Sequence, residues 1–157
     1  MNSEQKKDFT RRLSQCNPGE MIVIIYDIYF AYLEDAKLAH EAGDKEVFKD
    51  GVRRAQRTLD ELIQSLDFSY ELSNQLYPLY VFCKNELSRT LYQGNLDGLT
   101  EAEKICGKLY ESFCKVAKQD KSAPIMSNTQ QVYAGMTYGR ASLNENYMEN
   151  AQRGFFA

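Results

Sequence analysis

The chain has 157 residues, 43% of them hydrophobic and 26% charged, with a formal net charge of −3. That length supports one domain with a sizeable core, and the composition is that of an ordinary globular protein. The acidic balance argues against nucleic acid as a partner, because phosphate binding leans on clustered Lys and Arg. The short clusters Arg11–Arg12 and Arg53, Arg54, Arg57 read as solvated helix faces.

Long periodic runs and only three prolines predict an all-α fold. The first helix is expected over residues 4–15. Phe9 and Leu13, four apart, give it one narrow apolar stripe, as in a helix lying on the surface of something larger. The second is expected over 18–42 and carries the strongest pattern in the chain. Asn17 can cap it, Pro18 suits its first position, Glu20 stands three residues after the cap, and Gly43 is the expected stop. From Met21 to Phe30 its residues are apolar nearly all the way round, Asp27 excepted. A helix packed on one side needs an apolar stripe rather than a collar. Both sides of this helix must therefore be covered, by this chain or by a partner, and Ile22, Ile25, Tyr26, Tyr29 and Phe30 are the candidate partner-binding residues. The run from Met21 to Leu33 spans 13 residues, short of the roughly 20 that cross a bilayer.

The third helix is expected over 45–66, capped by Asp44. Phe48, Val52, Ala55, Leu59, Leu62 and Leu66 recur at steps of four and three, a heptad-type seam. Gly51 inside it predicts a close helix crossing. The fourth, over 70–93, stops at Gly94 and holds Pro78 in its interior. Leu72, Leu76, Leu79, Cys83, Leu87 and Leu91 continue in phase across Pro78, which predicts one kinked helix rather than two. Tyr77, Tyr80, Val81, Phe82 and Tyr92 fall beside or outside that stripe. The fifth is expected over 98–119, with Thr100 and Glu103 as a capping box and Ala102, Cys106, Leu109, Phe113 and Val116 as its stripe. Four long helices joined by short turns predict an antiparallel up-down four-helix bundle, with the short N-terminal helix laid across it. This bundle domain covers 1–120. Residues 121–157 have no sustained period and form an irregular, extended C-terminal tail. Tyr133, Met136, Tyr138 and Leu143 are its expected anchors, folding back over the apolar groove as an autoinhibitory segment.

Catalytic chemistry finds no support in the sequence. His40 is the one histidine, too few for the Glu-x-x-His pairs of a bundle di-metal site and poorly placed as the base of a nucleophilic triad. Phosphate loops are absent. The expectation is therefore a non-enzyme without metal or cofactor. Cys16, Cys83, Cys106 and Cys114 show no metal or redox spacing and are expected to be structural. The first twenty residues hold Lys6, Lys7, Arg11 and Arg12 but no apolar signal core, so a cytoplasmic protein with reduced thiols is expected.

Several strings, in order, resemble the FliS family of flagellin-specific export chaperones. Asn17-Pro18-Gly19-Glu20-Met21-Ile22 resembles the family's opening, Ile25-Tyr26-Asp27-Ile28 its Leu-Tyr-Asp-Gly core, and Gly43-Asp44 its acidic loop. Glu61, Leu62, Ser65, Leu66 and Asp67 match the close of its third helix, and Asn74 to Tyr80 resembles its Asn-Leu-x-x-Leu-Tyr. The resemblance covers residues 17–118. It departs where Phe68-Ser69-Tyr70 replaces a Gly-Gly turn, where Ile28 replaces a glycine, and beyond residue 120. The resemblance implies a cytosolic helical chaperone that binds the C-terminal segment of flagellin, prevents premature polymerisation, and works with other flagellar export components. The other reading of the collar is a non-catalytic helical adaptor or self-associating structural protein using the same groove.

Overall fold

The computed structural model describes residues 1–126; residues 127–157, with Tyr133, Met136, Tyr138 and Leu143, lie outside the described residues. The chain divides into a unit over Met1–Ile125 and a second over Met126–Ala157, and the first holds every described helix. Among the described residues all regular structure is helical: α1 Ser3–Gln15, α2 Pro18–Glu41, α3 Lys45–Gln64, α4 Glu71–Gln93 and α5 Asp97–Ala117.

Local chemistry explains the helix ends. Asn17 accepts a hydrogen bond from the Glu20 amide while Glu20 accepts from the Asn17 amide. This reciprocal cap is the one expected from the sequence. Asn2 and Gln5 build a second such cap on α1, and Asp44 caps α3 through the Val47 amide. Gly43 and Gly94 follow α2 and α4 with φ of 73° and 70°, the left-handed conformation that glycine adopts without a Cβ penalty. α4 runs unbroken through Pro78. The expected cap on α5 does not form. α5 begins at Asp97 without a side-chain cap, Thr100 Oγ1 donates to the Leu96 carbonyl at 2.9 Å, and Glu103 accepts from Lys37 at 2.7 Å. The helix starts at Asp97, within a residue of the expected 98, and Gly98 is pressed against α4: a Cβ there would lie 2.1 Å from the Glu86 carbonyl oxygen.

α2 packs on α3 and α5, and α4 packs on the same two helices, while α1 lies on α2. Gly51 sits against Ala36, where a Cβ would come within 3.0 Å of the alanine methyl; this is the close crossing that its place in the α3 seam predicts. Tyr26, Tyr29, Leu33, Val52, Leu59, Tyr80, Leu87 and Leu99 are almost completely removed from solvent at the centre. Each such side chain contributes about 1.5–3 kcal/mol relative to exposure.

Candidate partner-binding surface

The apolar collar of α2 is mostly core. Tyr26 and Tyr29 have no exposed surface, so neither can meet a partner in this conformation. The Tyr26 hydroxyl shares a 2.7 Å hydrogen bond with Tyr80 of α4. Burial pushes the Tyr26 hydroxyl well above the ordinary phenol range, with the Tyr80 hydroxyl adding to the shift. Burial likewise raises Tyr80, to about 12. Ile22, Ile25 and Phe30 are half-buried and pack against the core. Phe30 stacks edge-on against Tyr110 of α5, with ring centroids 5.5 Å apart.

The back of α2 is covered by α1. Ile24, on that side, is only 4% exposed. Ionic contacts hold α1 there: the N-terminal ammonium of Met1 pairs with Asp35, and Arg12 donates to Asp27 at 2.5 Å. Asp27 also accepts from the Tyr110 hydroxyl at 2.7 Å. The polar intruder in the collar is therefore a junction between α1, α2 and α5. Its carboxylate pushes the Tyr110 hydroxyl up, with burial adding to the shift. Asp120, past the end of α5, accepts from the Gly19 amide at 3.0 Å. It stands at the positive end of the α2 dipole. Its hydrogen bonds with Ser122 and Gly19 hold its carboxyl below the usual range.

α4 is different. Its buried residues are Ser73, Leu76, Tyr80, Cys83, Leu87 and Thr90. The expected inner stripe is rotated: Tyr80 points inward, and Leu72 and Leu79 are 56% and 38% exposed. The wide Tyr80 ring takes an inner position and bonds to Tyr26, and Leu72 and Leu79 face the flank. Phe82 joins them at 45% exposure. Leu72 and Leu79 are one heptad step apart, and Phe82 lies three residues on, so the trio shares one helix face. One further heptad step reaches Glu86, whose carbonyl meets Gly98 of α5. The trio therefore lies on the α5 side of α4. On α5, Ile105 stands one heptad step after Gly98, with Leu109 following by four and Val116 by seven. Ile105 and Leu109 are half-buried and Val116 is 60% exposed. An apolar strip thus borders the α4–α5 seam from both helices. At the same end, Phe68 and Tyr77 meet edge-on at 5.7 Å and both are exposed. The sequence sets Phe82 beside or outside the core stripe together with Tyr80; Phe82 is exposed there and Tyr80 is buried.

A cavity of about 480 Å³ opens where α1, α2 and α5 meet, bordered by Arg12, Cys16, Glu20, Ile24, Cys114 and Lys118. That volume suits a small ligand, but it holds no nucleophile paired with a base. His40 is exposed at the end of α2, bonded to the Gly94 carbonyl at 3.2 Å and edge-on to Phe48. No group of three or more His, Cys, Asp or Glu among the described residues could hold a metal ion. No helix among them is long and apolar enough to cross a membrane.

Comparison with curated proteins finds no match. Comparison with protein families matches residues 1–120 to the one described as flagellar protein FliS.

Proposed function

This chain belongs to the FliS family of flagellar export chaperones, a non-enzymatic family, and we propose that it binds the C-terminal segment of flagellin in the cytoplasm and keeps it from polymerising before export. We read its long helices as the antiparallel up-down four-helix bundle expected from the loop lengths. The client lays the apolar face of an amphipathic helix along the α4–α5 seam, on Leu72, Leu79 and Phe82. The observation that carries this reading is the exposed apolar strip on a helix whose other face is fully engaged in the core. Large exposed apolar patches mark interaction sites, and ordering a client segment costs several kcal/mol that only such a surface offsets. On α2, Ile22, Ile25 and Phe30 form a secondary flank of the same proposal.

Titration calorimetry of the full chain against a synthetic flagellin C-terminal peptide tests this. Leu79→Asp and Phe82→Asp are expected to weaken binding at least about tenfold, as for central apolar anchors, with helical circular dichroism unchanged. Wild-type affinity in both variants refutes the site. Self-association through the same face is the competing reading. A concentration-dependent dimer that Phe82→Asp abolishes, together with no binding of the peptide, would establish that reading instead.

A further inference from the structure

The core contains a thiol pair that partner binding does not use. Cys83 of α4 and Cys106 of α5 are both free and completely buried. Their sulfurs share a hydrogen bond at 3.7 Å. The Cys83 thiol also reaches the Ala102 carbonyl at 3.8 Å, and the Tyr29 hydroxyl neighbours Cys106. The surroundings are therefore polar at the sulfurs although they are closed to solvent. A disulfide has its sulfurs about 2.05 Å apart. Closing the 3.7 Å contact thus takes about 1.7 Å of travel, within the reach of side-chain rotation on two helices already packed together. Cys16 and Cys114, which border the α1–α2–α5 cavity, have no such contact with this pair.

We propose that Cys83 and Cys106 are a redox-active dithiol that a small peroxide converts to a disulfide, joining α4 to α5 through the core. The sulfur of Cys106 attacks one peroxide oxygen; the O–O bond breaks, and the departing hydroxide takes the thiol proton as water, leaving a sulfenic acid. The sulfur of Cys83 attacks the sulfenic sulfur; the S–O bond breaks, and the hydroxide leaves with the Cys83 proton as a second water. Two thiols are oxidised by two electrons in all, and one peroxide is reduced to two waters. A thiol reductant reverses the change by exchange. Through its hydrogen bond with Cys83, Cys106 is the thiol of the pair held below its ordinary value, which favours it as the attacking sulfur. Burial keeps the pair from bulky reagents, so oxidation proceeds through local opening of the α4–α5 seam. Reversible disulfides of this kind in reducing compartments are redox-sensing rather than structural.

The test uses the full folded chain with hydrogen peroxide as the probe, followed by alkylation in denaturant and peptide mapping without reduction. A second chain, Cys16→Ala with Cys114→Ala, leaves only the pair. In both chains the expected product is a peptide joined through Cys83 and Cys106, lost on treatment with dithiothreitol. The thermal midpoint should rise by about 5–10 °C on oxidation, because a short loop is closed in the unfolded chain. Recovery of both cysteines as alkylated thiols after Cys114 of the wild-type chain has fully reacted overturns the proposal. So does a product in which each carries a separate sulfinic acid.

Discussion

α2 and α4 carry the same surplus, more apolar residues than one core stripe uses, and the fold treats them oppositely. α2 has its surplus covered from within: Ile24 is shut under α1, and Tyr26 and Tyr29 reach the centre. α4 keeps Leu72, Leu79 and Phe82 in solvent. An apolar collar therefore reports that a helix needs cover on more than one side, not whether the cover is the chain's own. The helix with the more extreme pattern is the better covered, and the exposed apolar strip falls on the helix with the milder one.

The sharpest break of this contrast is a charge placed on the covered side. Ile24→Asp should cost about 4 kcal/mol, the loss of a buried aliphatic side chain, read as a fall in the urea midpoint. A change below about 1 kcal/mol would mean that α1 is not a firm cover and that α2 resembles α4 after all.

A second break acts where α5 begins. Gly98→Ala places a methyl against the Glu86 carbonyl, and the helices must part. The expected cost is about 3 kcal/mol from overpacking, with Leu79 and Phe82 losing their flanking α5 wall. Gly107, where a Cβ meets nothing within 4 Å, serves as the control. Gly107→Ala should be stabilising by up to about 1 kcal/mol through helix propensity, again by denaturant titration.

The inner face of α4 has its own signature in pH. Burial raises Tyr80 from 10.0 to about 12, so the folded protein favours the neutral phenol. That stability is fully present below the unfolded value and is lost as pH rises through the folded one. Helical signal and thermal midpoint should therefore fall together between pH 10 and about 12, in step with tyrosinate absorbance. Tyr80→Phe should shift that alkaline transition upward. An unchanged transition would show that the other buried tyrosines, Tyr26 and Tyr29, which burial also raises, drive the alkaline unfolding instead.

The smallest expected effect on stability is on the open face. Leu79→Asp and Phe82→Asp should change the urea midpoint by the equivalent of no more than about 0.5 kcal/mol, as exposed substitutions do. Loss of several kcal/mol would place the two residues in the core and remove the contrast with α2.

The sequence by itself determined most of the elements. Asn17, Pro18 and Glu20 set the start of α2, Asp44 that of α3, and Gly43 and Gly94 the stops, because caps and left-handed glycines are local chemistry between residues a few positions apart. The α3 seam was legible too: Phe48, Val52, Ala55, Leu59 and Leu62 are all buried, since one strict stripe admits one orientation. So was the family, through motifs whose order survives without a structure. Tertiary structure decided what periodicity leaves open. Which of the apolar residues on α2 faced out depended on where α1 came to rest, held by the pairs from Arg12 to Asp27 and from Met1 to Asp35. Which stripe of α4 turned inward was decided by its packing with α2, α3 and α5, where Tyr80 meets Tyr26. The close fit of Gly98 under α4 had no local signal. Each of these is a contact between distant parts of the chain. Burial is a property of such contacts, so a helix can state how much apolar surface it has but not which neighbour will cover it.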